Sequence, residues 1–231
     1  MTDSNGAMVQ LKAADGFSFE AFEVAANGAG RGGIVVLQEI FGVTDQLKGV
    51  ARAYAREGFD VLVPALFDRA SPKTLIPFGE PDRGRETMNS LDKAKTLLDI
   101  GAALAHLERG QGVSIIGFCW GGGLALRCAG EFRLRASVAF YGTALPAHMA
   151  ALAQSGKAVQ CPMQFHFGAS DPNSPPEVIE AVRKGVSGAD IHIHQAGHAF
   201  ANEARPNVYV REAADAAHAA TLALLQNVHP A

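Results

Sequence analysis

The residues best suited to chemistry stand together at Gly117-Phe118-Cys119-Trp120-Gly121-Gly122-Gly123. The apolar run Val113–Phe118 leads into them, and the small-residue segment Trp120–Glu131 follows. A G-x-C-x-G sequence between a strand and a helix is the nucleophile-elbow pattern with cysteine in the serine position. The central residue of such an elbow takes a strained backbone that lifts its side chain above the sheet, where neighbours bearing a Cβ would clash. The helix behind it aims amide donors and the positive end of its dipole at the sulfur, which favours thiolate and a developing anion. Taken alone, the pentapeptide also suits a buried structural cysteine at a tight turn.

Two later segments supply partners. Phe167-Gly168-Ala169-Ser170-Asp171-Pro172 is the end of an apolar run followed by Gly-x-x-Asp, and Ala196-Gly197-His198-Ala199-Phe200 follows another run. Their chain order is nucleophile, acid, histidine, the order expected behind such an elbow. All three lie at the carboxyl ends of predicted strands, where open α/β sheets gather their working groups. Asp171 by itself suits a turn or cap, and His198 by itself a loop histidine; together with Cys119 they predict a triad. In it His198 accepts the thiol proton and later delivers one to the leaving group, while Asp171 holds the tautomer and stabilises the imidazolium. The acyl-enzyme would be a thioester, hydrolysed by water with His198 as base. The expected oxyanion donors are the N–H of Trp120 and the N–H of Ile40, the latter in Gln38-Glu39-Ile40-Phe41-Gly42 after the run Ile34–Leu37. Each donor contributes roughly 3 kcal/mol in a transition state of this kind.

The elements that must position these groups are visible in the pattern. Alternation over 8–25 around Asp15-Gly16 predicts an antiparallel hairpin. Short apolar runs recur at Ile34–Leu37, Val61–Leu66, Val113–Phe118, Ala136–Tyr141, Met163–Phe167 and Ile191–His194, as strands buried on both faces would. Between them, helices are predicted at Leu47–Glu57, Arg85–Leu107, Trp120–Glu131, Pro176–Gly185 and Val208–Asn227. The long Arg85–Leu107 helix would present Leu91, Ala94, Leu97, Leu98 and Ala102 as its apolar stripe. Alternating strands and helices give an α/β class: a mostly parallel, doubly wound sheet with an N-terminal antiparallel hairpin and helices on both faces. No repeat or linker divides the 231 residues, so one domain is expected. Arg69–Asp82, with three prolines, is expected to be a surface loop over one edge.

Composition narrows the class further. Hydrophobic residues make up 48%, charged residues 19%, and the formal net charge is −3, which excludes a disordered chain and gives no basic field for nucleic acid or an anionic membrane. Three cysteines do not make a disulfide framework. The N-terminus lacks a signal pattern, and the apolar runs are far shorter than the ~20 residues of a membrane span. A soluble cytoplasmic protein is expected, with no nucleic-acid or membrane partner.

Four segments together resemble the dienelactone hydrolase family of α/β-hydrolases: Gln38–Gly42, Gly117–Gly122, Phe165–Asp171 and Gly197-His198-Ala199-Phe200-Ala201. They span nearly the whole chain in the family's order. The resemblance implies a cysteine–aspartate–histidine triad that hydrolyses small lactones or esters with no cofactor and no metal; the family prototype opens dienelactone to maleylacetate. It implies that Glu39 contacts the cysteine and helps activate it when substrate binds. A fixed carboxylate beside a thiol would disfavour thiolate, so Glu39 makes sense as a proton acceptor or movable partner; a simple ion pair with Arg85 is the other reading. Arg85 matches the first of two arginines that grip a substrate carboxylate. The second falls on Asn202, with Arg205 the nearest arginine, and a tyrosine after Arg85 falls on Asn89, departures that bear on the substrate more than on the chemistry. Tyr141, Phe41 and Arg205 complete the expected substrate-binding set, Tyr141 having a core role as its alternative. A monomer or weak homo-oligomer is expected.

His192, His194 and His198 form H-x-H-x3-H, a spacing that places the first two on one strand face as a metal pair requires, but the triad explains His198 better. Cys128 and Cys161 read as small core residues. Gly30-Arg31-Gly32-Gly33 precedes a strand and is no phosphate loop. A second class remains beside the hydrolase: a non-catalytic small-molecule-binding protein on the same scaffold.

Overall fold

The computed structural model describes residues 6–28 and 30–230. The chain divides into two compact units, the first ending at Val113 and the second beginning at Ser114.

The first unit holds β1 (Ala7–Lys12), β2 (Ser18–Val24), β3 (Gly32–Leu37), α1 (Asp45–Arg56), β4 (Phe59–Pro64), α2 (Pro81–Ser90) and α3 (Lys93–Leu107). The predicted hairpin is β1 antiparallel to β2, with Leu11 opposite Phe19 and Gly16 at φ +86° in the turn. β2 runs antiparallel to β4, and β3 runs parallel to β4. β3 is buried at every residue, as a parallel strand covered on both faces must be. α1 starts where Thr44 accepts a hydrogen bond from the Leu47 N–H.

The predicted helix over Arg85–Leu107 is two helices. Asp92 breaks it: its carboxylate accepts from the amides of Ala94 and Lys95 and caps α3, while Leu91 is extended. The expected apolar stripe is also displaced. Ala94 and Leu98 are exposed, and α3 buries Thr96, Asp99, Ile100, Ala103, Leu104 and Leu107. The physical reason is a bidentate pair between Arg69 and Asp99, 2.7 Å on both arms, which turns a carboxylate inward.

The second unit holds β5 (Val113–Phe118, entering from the end of the first), α4 (Trp120–Glu131), β6 (Ser137–Phe140), α5 (Leu145–Gln154), β7 (Met163–Gly168), α6 (Pro176–Gly185), β8 (Asp190–His194) and α7 (Arg211–Val228). β5, β6, β7 and β8 pair in that order, all parallel. Phe165 and Phe167 of β7 face a core shared with Leu126 of α4, Leu145 of α5 and Val182 of α6. The alternate residues Gln164 and His166 face α7, where His166 Nε2 lies 3.1 Å from Thr221 Oγ1. α5 was not expected from the sequence; it buries only Leu145 and Leu152. α7 begins at Arg211 rather than Val208.

Candidate active site

The elbow forms as its glycines require. Cys119 joins β5 to α4 at φ +53° and ψ −114°. A Cβ on Gly117 would lie 1.9 Å from the Gly121 carbonyl oxygen, and one on Gly122 would lie 2.7 Å from Gly142 Cα. These approaches leave room only for hydrogen, so the strand-to-helix reversal depends on both residues. Trp120 is the first residue of α4. Amides of a helix's first turn have no acceptor inside the helix and project toward this end.

Three side chains from three loops of the second unit form a hydrogen-bonded line. His198 Nε2 lies 3.2 Å from Cys119 Sγ, and His198 Nδ1 lies 2.7 Å from Asp171 Oδ2. The other oxygen of Asp171 accepts from the Asn173 N–H at 2.8 Å and the Asn173 side-chain amide at 3.1 Å. The Asp171 side chain is fully buried, while the His198 ring keeps about a quarter of its surface exposed (24%). Burial alone would raise the Asp171 pKa; hydrogen bonds and charge from His198, with the Asn173 bonds, outweigh it and hold the carboxyl below its ordinary value. Burial alone would lower the His198 pKa; Asp171 and Cys119 outweigh it and push the ring up to about 10. Both partners thus favour the protonated ring. A positive imidazolium beside the sulfur stabilises negative charge on it.

The loops carrying the acid and the histidine are stitched together. The Ala169 N–H donates to the His194 carbonyl at 2.8 Å, and the Ser170 N–H to the Ala196 carbonyl at 3.0 Å.

The other candidates fall into two groups. In the second unit, Tyr141 is buried with its ring edge-on to His198, centroids 5.2 Å apart. Asn202 is buried and accepts from the Ala204 N–H through Oδ1, and the Arg205 N–H donates to the Asn202 carbonyl. In the first unit, Glu39, Ile40 and Phe41 are buried in the loop after β3. Gln38 braces that loop by donating to the Glu39 carbonyl and accepting from the Leu66 N–H. Phe41 stacks edge-on against Phe78 and accepts at its carbonyl from the Ile76 N–H. Gly84, the single buried residue described in α2, lets that helix approach: a Cβ there would sit 2.4 Å from the Ile40 carbonyl oxygen. Arg85 is exposed and ion-paired with Asp82, one turn earlier on α2.

His192 and His194 do face one side of β8, but against His166, with ring centroids 5.0 and 5.3 Å away. Among the described residues no group of three or more His, Cys, Asp or Glu is arranged to hold a metal ion. Cys128 is fully buried in α4, and Cys161 is partly buried against the core of the second unit.

The profile of the dienelactone hydrolase family matches residues 19–229. The chain belongs to that family. It is 31% identical over 212 residues to a carboxymethylenebutenolidase of Pseudomonas sp. (strain P51), covering 87% of each chain. Carboxymethylenebutenolidase 1 of Cupriavidus pinatubonensis is 26% identical over 203 residues, covering 83% of this chain and 84% of its own. Among solved structures, a dienelactone hydrolase-like promiscuous phosphotriesterase from metagenomic libraries superposes with a TM-score of 0.76 at 21% identity, covering 96% of this chain and 98% of its own. An esterase of Pyrococcus furiosus superposes at 0.69 and 14% identity, with 96% and 92% covered. The fold is therefore that of the α/β-hydrolases, and dienelactone hydrolase membership places the chain among hydrolases. Among the described residues no helix is long and apolar enough to cross a membrane.

Sequence reasoning missed Asn173, which holds the second oxygen of Asp171. Its signal was Asp-Pro-Asn, since an Asp side chain that accepts from the amide two residues on is a common turn device. It also missed that Phe140 and Thr143 hold the Cys119 backbone, a contact that only the pairing of β5 with β6 creates.

Proposed function

We propose that this dienelactone hydrolase family member cleaves small lactones or carboxylic esters through a cysteine thioester. The observation that carries the reading is the line Cys119 Sγ, His198, Asp171, at 3.2 and 2.7 Å. His198 Nε2 takes the thiol proton of Cys119, which leaves thiolate beside imidazolium. The thiolate attacks the substrate carbonyl carbon; a C–S bond forms and the carbonyl electron pair moves to oxygen. The N–H of Trp120, at the start of α4, is one donor to that oxyanion, and the N–H of Ile40 is assigned as the other. Collapse breaks the C–O bond, and the leaving oxygen takes the Nε2 proton of His198. In a lactone the alcohol stays tethered to the acyl group. Neutral His198 then takes a proton from water, the hydroxide attacks the thioester, and the C–S bond breaks to restore thiolate and imidazolium. No metal or organic cofactor enters these steps.

Glu39 is the carboxylate assigned to cysteine activation, as a proton acceptor or movable partner. Arg85, Phe41 and Arg205 are the assigned substrate contacts, and Tyr141, the fourth candidate, takes the packing role that was its alternative. Asn202 and Asn89 replace charge and a phenol with neutral amides, which points to ligands with a weaker demand for anion binding than a carboxylate gripped by two arginines. The protein acts on small molecules, as a monomer or weak homo-oligomer in the cytoplasm, within a single α/β-hydrolase domain.

The test is a panel of activated aryl esters and lactones, read by initial rates and by intact mass during turnover. The expected result is an acyl adduct on Cys119, with hydrolysis abolished in C119A and H198A while both variants stay folded. Undiminished turnover in either variant, or tight reversible binding with no turnover across the panel, overturns the proposal.

A further inference from the structure

Tyr141 sits just past β6 in an unusual conformation. Its φ is +38°, in a region that bulky side chains rarely enter. The N–H of the same residue donates to the His166 carbonyl at 2.8 Å, so the turn is tied to β7. The ring is 1% exposed and meets His198 edge-on, at 5.2 Å between centroids and 68° between planes. Phe200 also packs against the Tyr141 ring, at 5.3 Å and 73°. The flanking residues hold the nucleophile: the Cys119 N–H donates to the Phe140 carbonyl at 3.0 Å, and the Thr143 N–H donates to the Cys119 carbonyl at 3.1 Å. Within the stretch 140–143, Phe140 and Thr143 thus hold the backbone that carries the sulfur, and Tyr141 meets the ring that faces it.

We infer that Tyr141 is a positioning residue: its ring fixes the plane of the His198 imidazole against a sulfur whose backbone the same turn clamps. The polar anchor of the imidazole at Asp171 fixes one ring atom, whereas a packed aromatic edge fixes the ring plane. The angle at which Nε2 meets the sulfur depends on that plane, and reacting groups need to be held within a fraction of an ångström. A buried ring held in a strained turn supplies that rigidity, because the surrounding packing must over-determine the strained backbone for it to persist. The inference rests on the hydrolase reading above for its kinetic consequence, and on geometry alone for its spectroscopic one.

The experiment compares the parent protein with Y141F, Y141L and Y141N, by ester hydrolysis and by the midpoint of the His198 titration followed by NMR. Y141F keeps the ring; Y141L removes it; Y141N removes it with a residue that accepts positive φ. The expected result is a fall in kcat of tenfold or more in Y141L and Y141N with KM within twofold, a displaced His198 titration midpoint in both, and recovery of rate and midpoint by Y141F. Folded Y141L or Y141N with parental kcat and an unmoved His198 midpoint overturns the inference, as does a Y141F as impaired as Y141L. If the parent hydrolyses nothing in the panel, the hydrolase reading fails, while the His198 midpoint still decides whether the tyrosine ring positions the imidazole.

Discussion

Gly168 and Gly197 meet backbone to backbone. A Cβ on Gly168 would come within 2.5 Å of the Gly197 carbonyl oxygen and 2.6 Å of that of Ala196. Gly168 ends β7 three residues before Asp171, and Gly197 immediately precedes His198, so the contact sets the separation of the loops that carry acid and histidine. Hydrogen bonds from Ala169 and Ser170 close the same seam.

That contact makes G168A a test of loop spacing. An added methyl group has to push the two loops apart, and such overpacking costs roughly 1–3 kcal/mol. G168A is expected to lower the urea midpoint by a corresponding amount and to reduce kcat further than the stability loss alone explains, because the Asp171–His198 bond lengthens. A variant with parental midpoint and rate would show that the seam yields freely and that the loops do not depend on it.

The charge state of His198 gives a second test. Asp171 and Cys119 hold its pKa near 10, against 6.5 for a free ring. The ring gains proton affinity on folding, so its contribution to stability is complete below about 6.5 and is lost as pH rises through about 10. D171N removes the main partner, and the His198 NMR titration is expected to move down toward the ordinary imidazole range. The alkaline loss of stability should shrink with it. Hydrolysis should fall on the order of 10²-fold or more, since the amide neither stabilises imidazolium nor selects the working tautomer. A His198 titration unchanged in D171N would mean that the carboxylate does not control the ring.

Much of this site is legible in the sequence because it depends on short-range steric demands. Glycines at 117 and 122 announce a reversal that only they permit, and apolar runs shortly before Asp171 and His198 mark strand ends. What the sequence hides depends on tertiary choice. Asp92 within an amphipathic stretch looks like an exposed helical residue until its carboxylate is seen capping α3. The burial of Asp99, and with it the exposure of Leu98, follows from Arg69, 30 residues away in sequence. The contact of Tyr141 with His198 requires β6, β7 and β8 to lie side by side, and no local pattern encodes that.

Arg85 offers a test of substrate charge. Its guanidinium is exposed and paired with Asp82 on the same helix, so binding a substrate carboxylate would exchange one partner for another. An exposed pair of this kind contributes little by itself, about 0–1 kcal/mol, and can be given up readily. R85A is expected to raise KM severalfold for carboxylate-bearing esters and lactones while leaving neutral analogues within twofold. Equal effects on both classes would remove Arg85 from the substrate-binding set.

Three histidines of the second unit, His166, His194 and His218, predict acid sensitivity. Burial, with lesser contributions from neighbouring histidines, drives His166 far below its ordinary pKa and also lowers His194; burial lowers His218 to about 4 despite the opposing charge of Asp215. His166 and His218 resist protonation in the folded protein but take up protons once exposed, so folding stability is full above about 6.5 and drains as pH falls toward 4. Each ring of this kind adds up to about 1.4 kcal/mol of loss per pH unit in that window. His218 packs beside the rings of Phe118 and Phe140, at 6.2 and 4.9 Å, which makes phenylalanine a reasonable replacement in shape. Urea titrations of H218F between pH 7 and 4.5 are expected to show a shallower decline than the parent, by about one such increment per pH unit near pH 5. Parallel declines in the two proteins would show that His218 takes up no proton on unfolding and would place the acid sensitivity elsewhere.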